Sequence, residues 1–184
     1  MKIGVVGGGA WGTALASVAA REGEPVLLWA REPEVVEAIN ASHENPLFLP
    51  GIALPGSIEA TGSLDALGGC DALLVVVPAQ HVRAVLGAMS VGRTPLVLCA
   101  KGIERETGTL LSAIADEIVP NNPVAALSGP SFAADVAKGL PTAVVVAARD
   151  EARAAGLALR FSTESFRCYS TDDLVGVEIG RAHV

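Results

Sequence analysis

Six residues near the amino end, Gly7-Gly8-Gly9-Ala10-Trp11-Gly12, constrain this chain more than any others. They carry the spacing G-x-G-x-x-G between a short apolar run, Lys2 to Val6, and an alanine-rich stretch, Trp11 to Glu22. The run reads as a buried strand, and the stretch, closed by Gly23 and Pro25, reads as a helix. In such a unit each glycine has its own task. Gly7 permits the tight turn, Gly9 lets a ligand approach the backbone, and Gly12 lets the helix pack closely on the strand. The amides of Ala10 and Trp11 then fall in the first helical turn, where unsatisfied N–H groups and the helix dipole favour an anion. The spacing predicts a cradle for a dinucleotide pyrophosphate. A tight turn without a ligand is the competing reading. No G-x-x-x-x-G-K-[ST] occurs, which disfavours an NTPase P-loop.

The rest of the chain repeats the alternation. Apolar runs recur at Pro25 to Trp29, Ile58 to Thr61, Ala72 to Val77, Pro95 to Cys99, Val124 to Ser128 and Thr142 to Ala147. Helical stretches fall at Pro33 to Ser42, His81 to Met89, Thr109 to Ile118, Phe132 to Lys138 and Glu151 to Phe161. A run such as Ala72 to Val77 is apolar on both faces and belongs in a parallel sheet covered on each side. The fold class is α/β, a Rossmann-like doubly wound, mostly parallel sheet with helices on both faces. Ligands then sit at the carboxyl ends of the strands. Asn45 to Gly56 is too rich in proline for a helix and too interrupted for a strand, so it reads as an ordered irregular loop with apolar anchors.

With 184 residues, 51% of them hydrophobic, the chain can bury a core without covalent staples. The charge balance, 20 Asp and Glu against 13 Lys and Arg for a net −7, would repel a phosphate backbone, so nucleic acid is not an expected partner. Any bound anion must be held by local amides or a few placed cations. Cys70, Cys99 and Cys168 are odd in number and widely spaced, which fits reduced thiols and gives a metal site no support. The opening residues do not read as a signal peptide, and no apolar run approaches the ~20 residues of a membrane span. These features point to a cytoplasmic protein.

Three further positions carry candidate chemistry. Arg31, in Trp29-Ala30-Arg31-Glu32, follows the second strand, where an acid would prefer a free ribose 2′-hydroxyl and an arginine accommodates a 2′-phosphate. It predicts that NADPH is accepted at least as well as NADH; a solvated arginine is the alternative. Lys101, in Cys99-Ala100-Lys101-Gly102, places an ammonium at the sheet edge, where it could grip a carbonyl or phosphate. Gly129-Pro130-Ser131 opens another helix and offers a hydroxyl cap. Pro78, Gln80 and His81 follow a strand and are candidates to line the same crevice, His81 reading better as a surface helix residue.

Taken in order, GGGAWGTALA, WARE, NPLFLPG, VVVPAQ, CAKGIE, LSGPSFAADVAKGLPTA and DDLVGVEIG resemble bacterial NAD(P)-dependent glycerol-3-phosphate dehydrogenase from Met1 to about Gly180. The resemblance implies hydride transfer between NADP or NAD and a three-carbon phosphate, with dihydroxyacetone phosphate reduced to sn-glycerol 3-phosphate for phospholipid synthesis. On matching positions it implies cofactor contacts at Ala10, Trp11, Arg31, Lys101 and Ala133, beside the glycines Gly7, Gly9 and Gly12. It implies substrate contacts at Lys101, Gly129 and Ser131, and the intact protein could form a homodimer.

The chain departs from that pattern at its end. After Gly180 the family continues G-A-L-K-N into a helical domain, whereas this sequence reads Arg181-Ala182-His183-Val184. The family's proton-donating lysine would fall on Val184, whose isopropyl group cannot replace an amine, so no catalytic residue is expected here. The reading is therefore a dinucleotide-binding domain over 1–175 and the stub of a second domain over 176–184. The tail reads as foreign, since ATC GGA AGA GCA CAC GTC, a common sequencing-adapter string, would encode Ile179 to Val184. Exposed apolar surface and weak self-association are expected where the second domain would pack. Two rivals stay open: a ketopantoate-reductase-like enzyme of the same architecture, and a non-catalytic NADPH-binding module.

Overall fold

A computed structural model describes residues 1–180. Residues 181–184, including the position where the family lysine would fall, lie outside the described residues. The chain runs β1 (Ile3–Val6), α1 (Ala10–Ala19), β2 (Val26–Trp29), α2 (Pro33–Ser42), β3 (Glu44–Asn45), β4 (Leu49–Ala53) and β5 (Ile58–Thr61). It continues through β6 (Ala72–Val75), α3 (Ala79–Ala88), β7 (Leu96–Leu98), α4 (Leu111–Ile118) and β8 (Val124–Ser128). The last elements are α5 (Ala133–Ala137), β9 (Thr142–Ala148), α6 (Glu151–Phe161), β10 (Phe166–Thr171) and α7 (Leu174–Ile179).

Eight strands form one sheet in the order β10-β9-β8-β7-β6-β1-β2-β5. All pairings are parallel except β8 with β9. The chain steps from β1 through β2 to β5 at one edge, then returns to β6 on the other side of β1. That reversal opens a crevice above β1 and β6, where doubly wound sheets bind ligands.

Period-two alternation divides the core. Ile3, Val5, Val26, Leu28 and Leu74 face α1, α2, α5 and α6, meeting Leu15, Val35, Ile39, Val136 and Phe161. Val6, Leu73, Val75, Leu96 and Leu98 face the opposite way onto Val82 and Leu86 of α3 and Leu111 and Ile114 of α4. Each such side chain contributes roughly 1.5–3 kcal/mol when fully buried, so the two layers, not any single contact, hold the sheet. Beyond them, Leu174 of α7 packs on Ala126 and Ala147.

Three local expectations are corrected. The proline-rich stretch after α2 holds a small antiparallel hairpin, β3 with β4, whose register shifts between Glu44 and Asn45. The shift absorbs the interruptions that argued against strands. The helix after the glycines ends at Ala19 and tightens into a 3-10 turn at Arg21–Gly23, with Glu22 and Gly23 both at positive φ. Finally, β10 was not expected. It is an edge strand, so its outward residues carry no apolar requirement.

Candidate functional site

The glycine turn sits at the head of that crevice. Gly7 donates its N–H to the Trp29 carbonyl at 3.0 Å, and at φ +131° a Cβ on it would lie 3.1 Å from the backbone of Val76 and Val77. A Cβ at Gly12 would fall 1.8 Å from the Gly7 carbonyl oxygen, so only hydrogen fits where α1 crosses the turn. Gly9 is the opposite case. Nothing lies within 4 Å of a Cβ built on it, which leaves its face open. The first turn of α1 has neither a side-chain cap nor an acidic residue, so its amides keep their capacity for an anion.

The predicted nicotinamide side is assembled as one place. Trp11, Pro78, Gln80, Lys101, Ser131 and Ala133 line an open cleft of about 430 Å³. Lys101 also borders an adjoining recess of about 370 Å³ with Gly129, Pro130 and the α7 residues Gly176 and Val177. Lys101 is exposed and makes no hydrogen bond or ion pair with any described residue. Trp11 places its buried Nε1 without an acceptor among the described residues. His81 is an exposed α3 residue outside the cleft lining.

Gly129 has a steric role of its own, and Ser131 departs from the expected helix cap. Gly129 is glycine because a Cβ would sit 2.8 Å from the Ala143 carbonyl oxygen and 2.9 Å from the Val144 Cα, so β9 dictates it whatever the substrate. Ser131 does not cap the helix. α5 begins at Ala133, its cap position is Phe132 with no side-chain bond, and the Ser131 hydroxyl instead reaches the Gly129 carbonyl at 3.4 Å. The hydroxyl stands one residue too early to meet the helix amides.

Arg31 lies apart from the cleft, beyond the end of β2. Its side chain is 77% exposed and gives Nε and Nη2 to one Glu32 oxygen at 3.1 and 2.9 Å. The neighbouring acid thus acts on the arginine directly.

The loop carrying Lys101 is held by α3. Gln80 donates from Nε2 to the Ile103 carbonyl at 2.8 Å and accepts the Arg105 N–H at 2.9 Å. Arg83 meets Glu104 at 2.8 and 3.1 Å and Glu117 at 2.7 Å. The Arg83 hydrogen bond, helped by the Thr107 hydroxyl, holds the Glu104 carboxyl below the usual carboxylate range. The sequence placed Gln80 in the crevice but gave it no such task.

The sequence assigns no individual task to Asn45 or Glu178, both buried. Glu178 stands four residues after Leu174 in an apolar run, a spacing that puts the acid on the buried face and could have exposed it. No group of three or more potential ligands is gathered for a metal among the described residues. No described helix is long and apolar enough to cross a membrane.

A switch-point crevice, a glycine turn open at Gly9 and a lysine-bearing cleft beside it define a dinucleotide-binding domain of the Rossmann kind. Residues 2–154 match the family described as NAD-dependent glycerol-3-phosphate dehydrogenase N-terminus, and the chain belongs to that family. It is 62% identical over 185 residues to glycerol-3-phosphate dehydrogenase [NAD(P)+] of Mesorhizobium japonicum, covering 98% of this chain and 54% of that one. The crystal structure of glycerol-3-phosphate dehydrogenase from Coxiella burnetii superposes with a TM-score of 0.90 at 34% identity, covering 98% of this chain and 56% of that one. A ketopantoate reductase from Ralstonia eutropha, at 21% identity and a TM-score of 0.70 over 97% of this chain and 59% of its own, shares the fold alone. The chain spans about half the length of the curated relatives it matches.

Proposed function

We propose that this chain is the coenzyme-holding half of a glycerol-3-phosphate dehydrogenase, acting in the cytoplasm on dihydroxyacetone phosphate and sn-glycerol 3-phosphate for phospholipid synthesis. The observation that carries the reading is the meeting of Trp11, Lys101, Ser131 and Ala133 on one cleft at the head of the glycine turn.

The α1 amides and the open Gly9 face suit the pyrophosphate, and Arg31 suits a ribose 2′-phosphate. When bound, the reduced nicotinamide supplies the hydride. The protein contributes position and field. Lys101 turns its unpaired ammonium toward the substrate's phosphate or carbonyl oxygen, and the Gly129 to Ser131 turn bounds the adjoining recess, so that the substrate is oriented before reaction. A bare sensor of dinucleotide has no need of that lysine. We read residues 1–175 as the binding domain and 176–184 as the stub of a second; the intact protein pairs as a homodimer. This chain is the part that binds coenzyme.

Calorimetric titration of the chain with NADPH and NADH tests the binding half of the reading, and absence of binding to both rejects it. Extending the protein through the second half found in its relatives, then assaying dihydroxyacetone phosphate against ketopantoate, tests the substrate.

A further inference from the structure

The Asn45 side chain has no exposure to solvent, yet it comes from the small hairpin rather than from the main sheet. Its Nδ2 donates to the Gly8 carbonyl at 2.8 Å and to the Thr13 hydroxyl oxygen at 2.8 Å. Its Oδ1 accepts the Phe48 N–H at 3.2 Å. One amide therefore joins the glycine turn, the first turn of α1 and the hairpin. Thr13, equally buried, donates its N–H to the Gly9 carbonyl at 2.9 Å and turns its hydroxyl to the Gly8 carbonyl at 3.4 Å.

These contacts fix the peptide between Gly8 and Gly9 from its carbonyl side. No cis peptide occurs among the described residues, and in a trans peptide C=O and N–H point in opposite directions. With the Gly8 carbonyl held against Asn45, the Gly9 N–H faces away from it, and no described group accepts that N–H. The Gly9 face is also the open one.

We propose that Asn45 is a positioning residue for dinucleotide binding: by holding the Gly8 carbonyl inward it aims the Gly9 N–H at the pyrophosphate. The inference rests on the coenzyme reading above and adds a residue on which that reading did not depend. A purely structural anchor would lower stability and leave affinity alone. A positioning residue changes affinity in a protein that is still folded.

The experiment follows the Gly9 amide by NMR in the ¹⁵N-labelled chain titrated with NADPH, beside calorimetry on the chain and on Asn45→Ala. The expected results are a large movement of the Gly9 amide in the unsubstituted chain, and a folded Asn45→Ala that binds NADPH roughly 10- to 100-fold more weakly. Asn45→Asp, of the same shape but without the donors, replaces the alanine variant if circular dichroism shows that one unfolded. Unchanged affinity in a folded Asn45 variant, or a Gly9 amide that stays still while NADPH binds, overturns the proposal and leaves the coenzyme reading standing. Failure of the unsubstituted chain to bind NADPH removes both.

Discussion

The Glu178 carboxylate, only 6% exposed, accepts both the backbone N–H of Ser112, at 2.9 Å, and the Ser112 hydroxyl. Ser112 is the second residue of α4, whose first amides have no partner within their own helix. An acid 66 positions along the chain therefore caps α4 through space and fastens α7 to it. Hydrogen bonds to a charged group contribute roughly 1.5–3 kcal/mol each. Glu178→Ala, which leaves the Ser112 donors buried without an acceptor, is expected to lower unfolding free energy by about 3 kcal/mol. Chemical denaturation reads this as a reduced midpoint. Glu178→Gln keeps an acceptor and loses less, and a double-mutant cycle with Ser112→Ala returns a coupling of about 1 kcal/mol.

The glycines of the turn separate folding from binding. Gly12→Ala drives a methyl into the Gly7 carbonyl oxygen, and rigid backbone on both sides cannot yield cheaply. Overpacking of this sort costs roughly 1–3 kcal/mol or more, so this variant melts early. Gly9 is held at φ −69°, a value that alanine adopts freely, and a Cβ there meets nothing. Gly9→Ala is expected to keep its stability within about 0.5 kcal/mol and to lose NADPH affinity, because its methyl occupies the space the pyrophosphate needs. Thermal melts and calorimetry on the two variants together check the division.

Much of this architecture was legible in the residues themselves. β1, β2 and β6 are buried on both faces, so their sequences are nearly continuous apolar runs, and the turn after β1 needs glycine for steric reasons visible in its spacing. The cleft residues Trp11, Lys101, Ser131 and Ala133 follow from the rule that loops after parallel strands share one side of the sheet. The parts that were not legible depend on partners distant in sequence. Asn45 finds Gly8 across 37 positions and Glu178 finds Ser112 across 66, and neither residue type announces burial. β10 fully buries only Phe166 and leaves Arg167, Tyr169 and Ser170 exposed, a pattern that an edge strand tolerates and that a search for apolar runs passes over.

Arg31 is expected to set coenzyme preference against the pull of its neighbour. An exposed ion pair such as Arg31 with Glu32 is worth about 0–1 kcal/mol, whereas a charge-assisted bond to a phosphate is worth roughly 1.5–3 kcal/mol. A ribose 2′-phosphate therefore wins the guanidinium from Glu32. Arg31→Asp is expected to weaken NADPH about ten-fold or more while NADH changes little. Glu32→Gln, which frees the arginine, strengthens NADPH modestly. Calorimetric titration with both coenzymes measures the two ratios, and unchanged NADPH preference in Arg31→Asp rejects the assignment.

The cysteines are expected to be inert while the chain is folded. Cys70 and Cys99 are buried and Cys168 half-buried. Burial pushes the Cys168 thiol up to about 11 and raises Cys70 as well. The thiolate is the reacting form, so a thiol reagent at about pH 8 modifies the native chain slowly. All three cysteines react promptly once denaturant is added.

Acid weakens the fold partly through the loop that carries Lys101. The Glu104 carboxyl is held below its ordinary value of 4.5, chiefly by the Arg83 hydrogen bond and then by the Thr107 hydroxyl. A depressed carboxyl contributes stability that is fully present above its unfolded value and is lost as pH falls through the folded one. Glu24, held low by the Met1 ammonium, acts in the same direction. Unfolding midpoints are therefore flat from neutrality to about pH 5 and decline below about pH 4.5. Glu104→Gln lowers the midpoint at neutral pH and makes the acid decline shallower, and combining it with Glu24→Gln makes it shallower still. Because Gln80 and Glu104 both tie the loop to α3, Glu104→Gln also quickens amide exchange at Ile103 and Arg105 without changing exchange in β1. An acid profile unaltered by Glu104→Gln would detach the Arg83 pair from both stability and the placement of Lys101.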